Sequence, residues 1–230
     1  TPDEQYAAGK KLGQRFKSFV PMLGITPETA PGIERAYEQF LADFSAHLEK
    51  LPYLLGTRAS YADFALIGPL YAHQYRDRFT GKHMKRTAPK VADYVERVIA
   101  GHGKDGAFLP NDDIPEPLLP ILKVAIGDFL PVLTATLERY KEWAETAEAQ
   151  SEIPRGLGMV PFQTGGCEGM IAARIFPLYR LQDALAAYQT MLPSDRSRAD
   201  AFFHAMDAEA FSSMRIDPRL TRRNYKLALA

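Results

Sequence analysis

The chain of 230 residues is predicted to be all-α, because its apolar residues recur every three or four positions in most segments. The clearest run begins at Ile33 and continues to Leu51, where Pro52 ends it. A second observation is the pair Ser60 and Asp63, which stands directly before a long apolar run and is typical of a helix start. Short breaks rich in proline or glycine separate the segments, so a helical bundle is the expected architecture.

Four helices are predicted in the N-terminal half. The first covers residues 3–19, and the second starts at an N-cap near residue 29 and ends at residue 51. The third covers residues 60–75 and is apolar on almost every side, so we expect it to be buried, with a bend at Pro69. The fourth covers residues 87–100 and places its apolar residues inward, namely Val91, Tyr94, Val95 and Val98.

Helical periodicity weakens after residue 100. Residues 101–120 are rich in glycine and proline and are interpreted as a long connection. Residues 118–148 carry the longest helical pattern, with Pro131 as an expected kink. In the least helical segment, 153–169, apolar residues between glycines favour a short hairpin. The prediction ends with helices over 171–191 and 194–208 and a basic surface tail over 215–226.

The composition is that of a soluble globular protein. Lysine plus arginine and aspartate plus glutamate number 28 each, so the balance of charge predicts no attraction to nucleic acid or to an anionic membrane. No uninterrupted apolar run approaches the roughly 18 residues of a membrane span, and no signal-type leader opens the chain. These observations predict a cytoplasmic protein.

Residues with catalytic or metal-binding spacing are not found in the sequence. The five histidines form no close pair of the kind that binds zinc. Cys167 is the single cysteine and lies between glycines, a pattern that favours a tight turn over a reactive thiol. We therefore predict no catalytic, cofactor-binding or metal-binding residue in this chain.

A family resemblance is carried by Leu54-Leu55-Gly56, followed by Ser60-x-Ala62-Asp63-Phe64. These residues resemble the signature of the C-terminal helical domain of glutathione S-transferases. In that family the serine and the aspartate cap a central helix, and the resemblance implies the same structural role for Ser60 and Asp63. A capping carboxylate that accepts backbone hydrogen bonds is a poor general base, which agrees with that role.

The resemblance implies that this chain has two domains and does not contain the family's thioredoxin-like domain. Residues 1–114 are predicted to form a glutathione S-transferase C-terminal-like helical domain, and residues 115–230 a helical extension packed on it. The family binds glutathione through an N-terminal thioredoxin-like domain that also supplies the catalytic residue, and no such strand and helix pattern is present here. The chain alone is expected to be inactive, with glutathione as co-substrate where that domain exists. A weak homodimer or a monomer is expected, because part of the family's dimer surface is missing.

Three functions are compatible with these residues. The chain could supply the hydrophobic acceptor-substrate side of a transferase site, with Tyr6, Phe16, Tyr71 and Tyr75 as the candidate wall. The same aromatic residues could equally be ordinary core residues. The alternatives are a non-catalytic protein-interaction module and a stand-alone binder of apolar small molecules. Only the first of the three depends on the missing thioredoxin-like domain.

Overall fold

In the computed structural model, residues 1–148 and 151–230 are described. They are mostly helical, which confirms the coarse prediction, but two antiparallel β-hairpins correct the expectation of an all-α fold. The chain folds into two compact units, one of residues 35–124 and one of residues 1–34 with 125–230. The first 34 residues thus belong with the C-terminal half. The division into domains 1–114 and 115–230 remains a prediction.

The bounds of the regular elements follow from their sequence signals. Proline stands in the first turn of α1, α5, α7 and α8, where its missing N–H costs nothing. The helices are α1 Pro2–Lys17, α2 Ala30–Lys50, α3 Tyr61–Pro69, α4 Arg78–Thr87, α5 Pro89–Ile99, α6 Leu119–Ala144, α7 Phe176–Gln189, α8 Pro193–Ala205 and α9 Ala210–Ser213. The strands are β1 Gly156–Thr164, β2 Cys167–Arg174, β3 Leu220–Arg223 and β4 Lys226–Leu229.

The unit formed by residues 35–124 is built around α5. Val91, Tyr94 and Val95 on this helix are fully buried, as their spacing predicts. Phe44 of α2 packs edge-on against Tyr94, with ring centroids 4.9 Å apart. These contacts hold α2 and α5 together in one apolar core.

The third predicted helix, residues 60–75, is shorter and less buried than expected. Helix α3 ends at Pro69, and the chain continues through a π-helical stretch, Leu70–Tyr75, because proline cannot donate to the preceding turn. Asp63 and Ile67 are buried, whereas 55% of Phe64 is exposed. The prediction of burial on all sides is therefore wrong, since an apolar composition does not specify which side has a neighbour.

The first hairpin, β1–β2, lies in the segment where a hairpin was predicted. Its two-residue turn is Gly165-Gly166, and both glycines have positive φ, as a tight hairpin turn requires. The turn packs against the start of α2, where a Cβ on Gly32 would lie 2.5 Å from the Thr164 carbonyl oxygen and 2.9 Å from Cys167 Sγ. The interpretation of these glycines as a turn is confirmed.

The second hairpin, β3–β4, replaces the predicted surface tail. Gln182 of α7 fixes it, because its side chain accepts a hydrogen bond from the Leu220 N–H and donates one to the Leu220 carbonyl, at 2.6 and 3.1 Å. Tyr140 of α6 donates to the Pro218 carbonyl at 2.6 Å just before β3. The prediction of a tail is wrong because the turn at Asn224-Tyr225 lacks the glycine that usually marks such hairpins.

Helix α6 is part of an unusually apolar stretch. By length and composition alone, Glu116–Ala144 is able to cross a membrane, and 17% of its most apolar window is buried. The expectation that no segment spans a membrane was based on the length of uninterrupted apolar runs. This helix meets the criterion of length and composition because few charged residues interrupt its apolar ones. Core helices of soluble proteins have the same composition, so a single helix of this kind is weak support for a membrane segment.

Candidate functional site

The most highly organised polar group of the unit 35–124 is the cap of α3. Ser60 Oγ accepts from the Asp63 N–H at 3.4 Å, and Asp63 Oδ2 accepts from the Ser60 N–H at 2.7 Å. This reciprocal pair is a capping box with aspartate in place of the usual glutamate. Asp63 is fully buried and Ser60 is 6% exposed. The structure therefore brings together the two residues that the sequence singled out.

The Asp63 carboxylate does more than cap one helix. Its Oδ1 accepts from the Leu54 N–H and from the Tyr94 hydroxyl, both at 3.0 Å, and Oδ2 also accepts from the Ser60 hydroxyl at 2.6 Å. Burial, with the neighbouring Asp63 charge, holds the Tyr94 pKa far above its ordinary value, so this hydroxyl stays a donor. With four donors on one buried carboxylate, the group joins α3, α5 and the loop before α3, and no substrate can reach it.

Tyr71 and Tyr75, two of the four predicted wall residues, lie together in the π-helical stretch after α3. Their rings are stacked with centroids 6.1 Å apart, and both side chains are half-buried. Lys85 Nζ lies 4.0 Å from the centre of the Tyr75 ring, and the Tyr75 hydroxyl donates to Glu96. This arrangement presents a partly exposed aromatic surface with a cation over one of its two rings.

Tyr6 and Phe16, the other two predicted wall residues, lie on α1 in the other unit. They are 75% and 65% exposed, and α1 has no buried residue. The interpretation of these two as core aromatics is therefore wrong. Their role in an acceptor pocket remains a prediction.

A cavity of about 640 Å³ lies within the unit formed by residues 1–34 and 125–230. It has an apolar wall that includes Phe19, Met22 and Phe176, and two arginines, Arg155 and Arg174, also line it. Sequence reasoning missed this group because its residues are far apart in the chain. The only signal was the predicted hairpin, whose register places Arg174 opposite Gly156, the residue after Arg155.

Other titratable residues have structural roles. His47 is fully buried, its Nε2 donates to the Tyr53 carbonyl at 3.0 Å, and burial lowers its pKa. Cys167 is half-buried at the hairpin turn. In the described residues, no group of three or more histidine, cysteine, aspartate or glutamate side chains is placed to hold a metal ion.

Comparison with known protein families identifies one segment. Residues 19–101 match the model of the glutathione S-transferase C-terminal domain, and the Ser60–Asp63 cap lies inside this segment. Searches of curated proteins and of solved structures gave no significant match. Arg155 and Arg174 lie outside the matched segment, so the family model says nothing about them.

Proposed function

We propose that the chain is the helical part of a glutathione S-transferase-like protein and supplies the acceptor side of its site. The observation that carries this proposal is the match of residues 19–101 to the C-terminal domain of that family. A thioredoxin-like domain of the complete protein would bind glutathione and ionise its thiol. The helical chain would then contribute the surface that holds the apolar electrophile.

The aromatic pair Tyr71 and Tyr75 is the part of this surface that the matched domain contains. Stacked, half-buried tyrosine rings offer apolar area at low entropic cost and contact flat aromatic substrates well. Lys85 over the Tyr75 ring adds positive charge beside that surface, which suits an electrophile that gains negative charge as the thiolate attacks. The bond from the Tyr75 hydroxyl to Glu96 fixes one ring of the pair.

The test begins with the coding sequence upstream of Thr1, which should encode a thioredoxin-like domain. In that complete protein, Tyr71→Ala and Tyr75→Ala should raise the KM for an aromatic electrophile severalfold and leave the KM for glutathione unchanged. Phe79→Ala is the matched control, because Phe79 is an aromatic residue of the same unit that is 82% exposed on α4. An upstream frame without such a domain would overturn the proposal. Equal effects of all three variants would remove the aromatic pair from the site.

A second candidate function is a protein-interaction module, which the exposed apolar side of α1 favours. Tyr6, Leu12 and Phe16 are all more than half exposed, and apolar residues gathered on one helix side are typical of an interface. Phe16→Asp should weaken association of the chain with itself or with a partner domain, as measured by sedimentation. Unchanged association in this variant would exclude α1 from the interface.

A further inference from the structure

The cavity between the two hairpins combines features that a buried ligand requires. Its volume of about 640 Å³ lies inside the usual range for small-molecule sites, roughly 300–1,000 Å³. It is lined by the start of β1, the end of β2, the turn of the second hairpin and the residues around the short helix at Pro21–Leu23. All of these lie in one compact unit.

The charges around this cavity are unbalanced. Glu152, the acidic residue of the lining, is already bound to Lys226 at 2.6 Å, and this pair is neutral. Arg155 and Arg174 are exposed toward solvent, and neither guanidinium group has a hydrogen bond or ion pair to the described residues. The hairpin register holds these two arginines at the same end of the sheet. The cavity therefore presents two unpaired guanidinium groups, which are well suited to binding a carboxylate.

The rest of the lining is apolar and exposed. Phe19, Met22 and Phe176 are 45%, 49% and 55% exposed, although each lines the cavity. Tyr225 also lines it, and its positive φ of 63° belongs to the hairpin turn that carries this side chain to the cavity. A fully hydrated ligand would leave these side chains bare, whereas a ligand with a hydrocarbon body would cover them.

We propose that this cavity binds an apolar monocarboxylate, with the carboxylate on Arg155 and Arg174 and the hydrocarbon body against Phe19, Met22 and Phe176. The site contains neither Tyr71 nor Tyr75, so it does not depend on the acceptor role proposed above. Its ligand is distinguished from a nucleotide or a free phosphate by the apolar wall, and from a neutral lipid by the arginines.

Calorimetric titration of the whole 230-residue chain with decanoate, decan-1-ol and decyltrimethylammonium tests the proposal. Decanoate should bind at one site per chain, decan-1-ol about tenfold more weakly, and the cation not at all, because a charged hydrogen-bonded pair is worth about that factor. Adenosine monophosphate is the comparison ligand for a polar anion. Absence of decanoate binding, equal binding of the alcohol, or tighter binding of the nucleotide would each overturn the proposal.

Substitutions in the cavity lining test whether decanoate binds in this cavity. The double variant Arg155→Gln/Arg174→Gln should weaken decanoate binding at least about tenfold and leave decan-1-ol binding unchanged. Arg180→Gln is the matched control, because Arg180 lies on α7 outside the cavity lining and pairs with Asp183 at 3.6 Å. Met22→Glu, which places a carboxylate on the apolar wall, should abolish decanoate binding. Decanoate binding that survives in the double variant or in Met22→Glu would show that the ligand lies elsewhere and would overturn the proposal. Circular dichroism of each variant checks that it is folded.

Discussion

Replacing Asp63 by alanine should destabilise the unit 35–124 strongly. The carboxylate accepts four hydrogen bonds, from the Leu54 N–H, the Ser60 N–H, the Ser60 hydroxyl and the Tyr94 hydroxyl. The three partner residues are buried, the most exposed of them at 8%, so water does not readily replace the lost acceptor. The Asp63→Ala variant therefore leaves several buried donors without a partner.

The magnitude follows from the three donors that cannot turn to another acceptor. The Ser60 hydroxyl can rotate, whereas the Leu54 and Ser60 N–H groups are fixed by the backbone and the Tyr94 hydroxyl by its buried ring. A buried unsatisfied donor costs about 1–3 kcal/mol, so three of them cost about 3–9 kcal/mol. Relaxation of the loop before α3 favours the lower end of that range, and we expect a loss of about 3 kcal/mol in the free energy of unfolding. Ser60→Ala should cost less, roughly 0.5–2 kcal/mol.

The assay has to report on the correct unit. Trp143, the single tryptophan, lies on α6 in the other unit, so its fluorescence is not a direct reporter of the cap. Urea unfolding followed by far-ultraviolet circular dichroism, with amide hydrogen exchange at Leu54, reports on the unit 35–124. Asp93→Ala on the exposed side of α5 is the matched control and should stay within about 0.5 kcal/mol.

A double variant separates the cap from a functional interpretation. Because Ser60 and Asp63 form one hydrogen-bonded group, the double alanine variant should lose less than the sum of the two single losses. Parental urea midpoints and unchanged Leu54 exchange in Asp63→Ala would refute the capping argument. Full additivity would refute the coupling between the two residues.

Four further predictions concern pH, chemistry and association. Burial lowers the pKa of His47 below 6.5, so the protonated imidazole is disfavoured in the folded protein. The free energy of unfolding should therefore fall as the pH drops below 6.5. In His47→Gln, urea midpoints should depend less on pH over this range. Burial, with the nearby Asp217 charge, raises the pKa of Tyr140 from 10 to about 12. The contribution of this hydroxyl to the free energy of unfolding is therefore present below pH 10 and is lost as the pH rises through 12. The Tyr140→Phe variant should lose less stability at alkaline pH than the parent protein. The chain alone should not conjugate glutathione to a chlorodinitroarene, and turnover that survives in Cys167→Ala would contradict this. Sedimentation at micromolar concentration should show a monomer or a weak dimer, because interfaces below roughly 1,000 Å² are seldom stable, and a tight dimer would show that the helical surface suffices.

Local signals predicted the parts of the fold that depend on neighbouring residues. The cap at Ser60 and Asp63, the inward face of α5 and the Gly165-Gly166 turn are each specified within a few residues, and each is found in the structure. The apolar composition of α3 correctly indicated a helix. It could not show which side would be covered, because burial depends on elements distant in the sequence.

The candidate sites were harder to predict for the same reason. Tyr71 and Tyr75 are four residues apart, so their contact follows from helical spacing. Arg155 and Arg174 are placed at the same end of the sheet by the pairing of β1 with β2, which no periodicity in the sequence predicts. Tyr6 and Phe16 were identified as a candidate wall from family resemblance, which carries no information on their exposure along α1.

The contact between Gly32 and the hairpin turn limits how the sequence can vary. A Cβ on Gly165 would lie 2.0 Å from the Gly32 carbonyl oxygen, and one on Gly32 would lie 2.5 Å from the Thr164 carbonyl oxygen, so neither position accepts a side chain without moving backbone. The two glycines are thus expected to be inherited together. In a homologous chain, glycine at both positions would mark the presence of the hairpin docked on α2, and loss of one should accompany loss or displacement of the other. This pair gives a way to recognise relatives that share the extension as well as the helical domain.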